Sequence, residues 1–427
     1  MPDCAVLHAA QLVTLAEPNR ARIGNELLAL GIIPDGGMLI RDGKIAAVGA
    51  SDAIEGELPT GAETVDATDR LVMPGFVDAH THLVFGGNRL DDFERRSRGE
   101  TYEQIAAAGG GIWSTVAQTR TASEPELFEQ AKRHAEWMLR CGTTTAEAKS
   151  GYGLTVESEL RILRTIRRVS NETALECVAT FLGAHAVPHE HKSSPQNYVQ
   201  LVTEQMLPEV VRQHLAEFCD VFCEHGYFSV DQSRLILSAA KRSGLRLRIH
   251  ADQLTNSGGA MLAAKLGATT ADHLEKTDDK GIAALKDANV QPVLLPGSVY
   301  ALGSAVYPRA REMIQAGLAI VLASDFNPGS SPTPSMPMIL SLACTHMKMS
   351  PAEAITAGTI NAAYSLSRGN AVGSLEKGKL GNFVVFDCDD YREVPYWFGF
   401  PPIHSVYVRG KRVCANTEDV PPTKPAK

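Results

Sequence analysis

What most constrains this chain is a repeated change of period along its middle. Between residues 74 and 370, eight apolar runs of strand length (75–83, 143–149, 174–185, 218–225, 245–251, 269–274, 291–296 and 319–326) alternate with stretches of helical spacing such as 156–169 and 232–243. Strands that alternate with helices pair in parallel through crossovers, and eight of them fit a closed (β/α)8 TIM-like barrel better than an open sheet. Such a barrel occupies about 250 residues as one unit, which accounts for most of the 427. The last helical pattern, 351–366, starts with Ser350 as its cap, Pro351 in the first helical position and Glu353 completing a capping box.

The two ends have a different texture. Asp42-Gly43 marks a hairpin turn inside the alternating run 38–49, residues 381–387 read as a strand, and 406–413 reads as a hairpin about Arg409-Gly410. Neither end can build a core alone. They are expected to pair into a small β-sandwich domain, with 1–73 and 371–418 as its halves, 74–370 as the barrel between them and 419–427 as a flexible tail.

Charge and composition narrow the partners. Lys and Arg number 41 against 49 Asp and Glu, a net −8 with the signs interspersed, so no basic footprint suggests nucleic acid or an anionic membrane. No apolar run approaches the ~20 residues of a membrane span. The start lacks a basic segment ahead of an apolar one, so no secretory signal is expected. The eight scattered cysteines suit a reducing, cytoplasmic setting. The expected partner is a small molecule.

In a βα barrel, the carboxyl ends of the strands converge on one mouth, where active sites lie. Of the 13 histidines, His80 and His82 close the first run, His185 the third, His225 the fourth and His250 the fifth, while His273 lies near the end of the sixth. Asp325 ends the eighth. Residues two apart on a strand share a face, so His80 and His82 form half a site for a divalent transition metal. His250 and Asp325 complete a set of three nitrogens and one oxygen, leaving a position for water whose pKa a metal can lower to about 7. Asp325 can also accept the proton of that water. His273 fits better as a group that orients hydroxide or a substrate carbonyl, because four ligands already suffice.

These residues, in the runs 76–89, 147–153, 181–188, 250–253 and 324–330, resemble the amidohydrolase superfamily. More narrowly, over essentially the whole chain, they resemble its branch that hydrolyses the cyclic amide of 4-imidazolone-5-propanoate to N-formimidoyl-L-glutamate in histidine degradation. The Lys149 to Gly153 run and the Asp-Phe-Asn-Pro-Gly run from Asp325 are its more specific marks. The resemblance implies substrate contacts from Arg89, Tyr152, His185, Gln253, Asn327, Gly329 and Ser330, and it suggests a homodimer by analogy. Spacing alone would instead pair Arg89 with Asp91 or Asp92.

Two departures bear on mechanism. Gln253 stands where some relatives carry an acid, and glutamine cannot shuttle protons, so Asp325 and His273 must suffice. The fourth run has no lysine to bridge two metals, and Lys149 belongs to the second. One ion is therefore expected, zinc or iron, since this donor set accepts either. The main rival is a nucleobase or aminoazine deaminase of the same superfamily, which Gln253 disfavours. A scaffold without catalysis is disfavoured by the complete ligand set. Cys219, Cys223 and His225 look like buried strand residues rather than a zinc knuckle, residues 188–191 like a solvated loop, and Cys141 like a helix-end core residue.

Overall fold

The computed structural model describes residues 3–101, 104–105 and 108–415. The tail expected at 419–427 lies outside them. The described residues pack into two compact units. One is formed by the described residues of Met1–Asp78, Glu136–Thr145 and Ser335–Lys427, the other by those of Ala79–Ala135 and Ala146–Pro334.

In the first unit, both chain ends contribute to one mixed sheet. From the N-terminal side come β1 (Cys4–Val13), β2 (Ile32–Arg41), β3 (Lys44–Ala50), β4 (Glu63–Asp66) and β5 (Leu71–Pro74). The β2–β3 hairpin turns at Asp42-Gly43, with Arg41 opposite Lys44. Strand β1 carries β4 in parallel along its first half and β5 along its second, so the sheet divides there. Phe383–Phe386, Ile403–Val408 and Lys411–Ala415 complete the sheet beside β5, all antiparallel. Val6, Leu12, Met38, Val72, Phe383 and Val385 form its apolar core.

The other sheet is the barrel. Its strands are β6 (Phe76–Asp78), β7 (Thr143–Lys149), β8 (Glu176–Ala184), β9 (Phe218–Cys223), β10 (Arg246–Ala251), β11 (Thr270–His273), β12 (Gln291–Leu294) and β13 (Val321–Leu322), adjacent in chain order. The registered pairs from β8 to β13 run parallel. Residues beyond β6 close the ring: Thr81 bridges Phe326, Asp325 N–H donates to His80 O (3.0 Å) and His82 N–H to Phe326 O (2.8 Å). All eight apolar runs thus contain a strand.

The helices follow their local signals. Thr155 caps Val156–Glu172, and Ser229 with Gln232 forms a capping box on Val230–Arg242. The box at Ser350 and Glu353 is present too. The single helix expected over 351–366 is instead two, Pro351–Ala357 and Ile360–Ser365, because Thr359 leaves helical geometry at φ −130°, ψ −95°.

Candidate metal centre

The strand exits bring His80, His82, His250, His273 and Asp325 together, all nearly or fully buried. Ligand atoms of His80, His82 and Asp325 lie within 4.8 Å of one another, as do those of His80, His250 and His273. Nε2 of His80 and Nε2 of His82 are each 3.6 Å from Asp325 Oδ1. Metal–nitrogen bonds of about 2.0–2.1 Å place two ligands of one tetrahedral ion roughly 3–4 Å apart, so these separations suit a shared cation. Among the described residues, Nε2 of His80 and of His250 and Nδ1 of His82 are buried without a hydrogen-bond partner, and Nδ1 of His250 lacks hydrogen-bond geometry although a carboxylate oxygen of Asp220 lies 2.9 Å away. Buried polar atoms are normally satisfied, and a cation would satisfy those aimed into the mouth. The donor set therefore fits a divalent transition metal.

Burial pushes the imidazoles of His80, His82 and His250 below their usual range, and neighbouring positive groups help at His80. Neutral imidazole is the form that ligates. Two aspartates stand behind them: Asp272 Oδ2 is 2.6 Å from His80 Nδ1, and Asp220 Oδ2 is 2.9 Å from His250 Nδ1. Carboxylates there orient ligating rings and raise their basicity. Burial also opposes charge on His273, but Glu275, 3.4 Å from its Nδ1, outweighs that and raises its pKa. Burial lifts the Asp325 carboxyl to about 7. His273 and Asp325 leave their strands with φ of 79° and 54°. Left-handed backbone in such residues costs about 1–3 kcal/mol and clusters at functional sites.

A cavity of about 560 Å³ opens onto this cluster. His82, Arg89, Tyr152, His185, His250, Gln253, His273, Asp325, Asn327 and Ser330 all line it. Gly329 stands just behind, where a Cβ would overlap the Arg89 guanidinium. A larger hollow of about 670 Å³, bordered by Gly87, Gln118 and Arg133, is wide open and holds none of the candidate residues.

Arg89 does not make the surface pair that spacing suggested. Its Nε donates to Thr115 Oγ1 at 2.7 Å, while Asp92 accepts from Gly111 N–H. The loop of Tyr152 is tied to buried Glu159, which accepts from the N–H groups of Gly151 (3.0 Å), Gly153 (2.8 Å) and Leu154 (2.8 Å). Burial pushes His185 down to about 3, and its ring stacks on His82 with centroids 5.0 Å apart. Asn327 Oδ1 accepts from the N–H groups of Gly329 and Ser330, both at 2.8 Å, so its side chain builds the turn it sits in. His225, grouped with the strand-exit histidines from sequence, is exposed past the end of β9 and takes no part in the cluster. Cys219 and Cys223 are buried, as expected, and burial lifts the Cys141 thiol to about 11.

Sequence reasoning missed Asp220, Asp272 and Glu275, and gave Lys149 no role. A signal was available: Asp220, Arg248 and Asp272 interrupt apolar strands at positions that alternation turns inward.

With fold and site in view, the chain belongs to the amidohydrolase family, whose model matches residues 71–413. It is 58% identical over 413 residues to an imidazolonepropionase of Solibacter usitatus (strain Ellin6076), covering 97% of this chain and 99% of that protein. It is 46% identical to an imidazolonepropionase of Geobacillus kaustophilus (strain HTA426), covering 96% and 97%. Among solved structures, it resembles E. coli guanine deaminase at TM-score 0.73 and 16% identity, over 98% of this chain and 100% of that one. A triazine hydrolase variant superposes at TM-score 0.77 and 16% identity, over 97% and 95%. At such identities the two structures speak for the fold alone.

Proposed function

We propose that this chain is a metal-dependent cyclic amide hydrolase that opens 4-imidazolone-5-propanoate to N-formimidoyl-L-glutamate in histidine degradation. The observation that carries the reading is the buried convergence at the barrel mouth of His80 and His82 with Asp325, and of His250 with both His80 and His82, in a chain so similar along its length to imidazolonepropionases.

His80, His82, His250 and Asp325 would hold one zinc or iron ion. When bound, such an ion supplies a Lewis acid that makes water acidic and polarises a carbonyl. The protein's own groups do the rest. Water oxygen bonds to the ring carbonyl carbon, the ring C–N bond breaks, and one water proton ends on the departing nitrogen. Asp325, lifted toward neutrality by burial, is placed to take and return that proton; a bound cation lowers its pKa again. His273, kept cationic more readily by Glu275, stabilises the negative charge that develops on the carbonyl oxygen.

Arg89 offers a planar fork for the propionate. Tyr152 and His185 form a wall for the ring, and Gln253 orients it by hydrogen bonding. Asn327, Gly329 and Ser330 shape the opposite wall through their turn. Gln253 cannot carry protons to departing ammonia, which sets this reading apart from deamination.

The test is to incubate the metal-loaded protein separately with imidazolone propionate, cytosine and guanine, and to identify products. N-formimidoyl-glutamate from the first alone is expected. Ammonia from either base, with the imidazolone intact, overturns the reading in favour of a deaminase.

A further inference from the structure

Lys149 is completely buried in the barrel interior, and its ion pairs are made with carboxylates other than the proposed ligands. Its Nζ lies 2.7 Å from Glu147 Oε1, 2.8 Å from Asp220 Oδ2 and 3.8 Å from Asp272 Oδ2. The oxygens of Asp220 and Asp272 that face this ammonium are the same two that face the imidazoles of His250, at 2.9 Å, and His80, at 2.6 Å. Arg248 adds a second cation, with Nη2 3.3 Å from Asp272 Oδ2 and 2.7 Å from Ala79 O. Lys149 is thus the one group of this set in contact with the backing carboxylates of both histidines.

We propose that Lys149 is a positioning residue for the metal centre: lying between Asp220 and Asp272, it fixes the orientation of His250 and His80 as a pair, and so sets the affinity for the divalent cation without touching it. The proposal rests on the metal reading above. Its physics is that of a dry interior. A ligating imidazole presents one nitrogen to the ion and donates the N–H of the other to an acceptor, usually a carboxylate. A buried carboxylate stays charged and in place only when paired. Without the ammonium, Asp220 Oδ2 would lose the cation that faces it and Asp272 would keep Arg248 alone, so the two carboxylates would no longer be tied to each other and the rings they back could shift independently. An ammonium engaged by carboxylates has no free electron pair, so Lys149 is not itself a ligand.

Two variants test this. Lys149→Met removes the bridge and leaves the interior one charge more negative. Lys149→Met combined with Glu147→Gln removes the bridge but restores the formal balance of the interior. Zinc affinity is measured by competition with a chromophoric chelator, the visible spectrum is recorded for protein loaded with cobalt(II), and folding is followed by circular dichroism. Both variants are expected to lose at least about ten-fold in zinc affinity and to shift the cobalt bands. A merely structural lysine would move neither at equal foldedness, so native affinity and native bands in the double variant overturn the proposal. If neither variant folds even when refolded with zinc, Lys149 is a folding requirement and the proposal falls. Failure of the unaltered protein to bind one equivalent of zinc would instead sink the metal reading beneath it.

Discussion

Two places in the barrel unit bury histidine, and they do so differently. At the mouth, the His80 and His250 rings lie with centroids 4.5 Å apart, His82 stacks on His185, and unpartnered nitrogens face one another and Asp325. Behind the mouth, His134 on the helix Glu124–Arg140 is 4% exposed. Its ring stacks on Phe85 at 4.6 Å and meets the edge of Phe326 at 5.3 Å, and its Nδ1 is 2.9 Å from Leu83 O. Burial depresses both kinds: His80 and His82 at the mouth fall well below their usual range and His134 falls to about 4. Lowered basicity alone therefore does not mark a ligand. What separates the two places is convergence, since several lone pairs meet at the mouth whereas His134 is walled by phenyl rings and bonded to a carbonyl.

The sharpest way to break this contrast is to delete a ring on each side of it. His82→Ala should lose stoichiometric metal and about 10³-fold or more in turnover, as read by elemental analysis and product formation. His134→Gln should keep both the metal and turnover near the native level. Equal losses in the two variants would erase the distinction. Next in size, Arg89→Met should raise KM for imidazolone propionate by about 100-fold with kcat little changed, the loss of a charge-assisted pair worth roughly 2–3 kcal/mol. An unchanged KM would take Arg89 out of the substrate site.

A smaller effect sharpens the contrast from the supporting side. Asp220→Asn should weaken zinc binding by about 10- to 100-fold while leaving the fold intact, as measured by chelator competition. His134 supplies the smallest. Its folded pKa, about 4, lies below the usual 6.5, so the unfolded chain takes up a proton first as the pH falls. Stability is unaffected above pH 6.5 and declines from there toward pH 4. The penalty at pH 5 is (6.5 − 5) × 1.36, about 2 kcal/mol. Urea unfolding at pH 7 and pH 5 should show His134→Gln losing less stability between the two than the native protein.

Much of this was legible in the sequence, and the reason is the two-residue period of a strand. That period put His80 and His82 on one face, and the apolar runs ending at His250 and Asp325 located the strand exits. Three things were not legible. The break before Thr359 did have a local mark, Gly358 as the cap that ends the first helix, but the apolar spacing runs on through it and hid the stop. His225 sat at an apparent strand exit, but β9 stops at Cys223 and the chain turns outward. The interior pairs were hidden because they are long-range: Lys149 and Asp220 are 71 residues apart, and His80 and Asp272 are 192 apart. Alternation says which way a charged side chain points, not which one it meets across the barrel. Arg89 illustrates the same limit, since its neighbour Thr115 lies 26 residues away and the nearer aspartates looked the better match.

Glu159 holds the segment bearing Tyr152 by three amide protons at once, and Gly153 packs so tightly against Ser158 that a methyl group there would collide with backbone. A stretch pinned in this way behaves as masonry rather than as a door. On the proposed reading, in which Tyr152 borders the ring slot, molecules too bulky for it are turned away on that flank by shape, before any chemistry begins, and a broader diet would require rebuilding the anchor as well as the tyrosine.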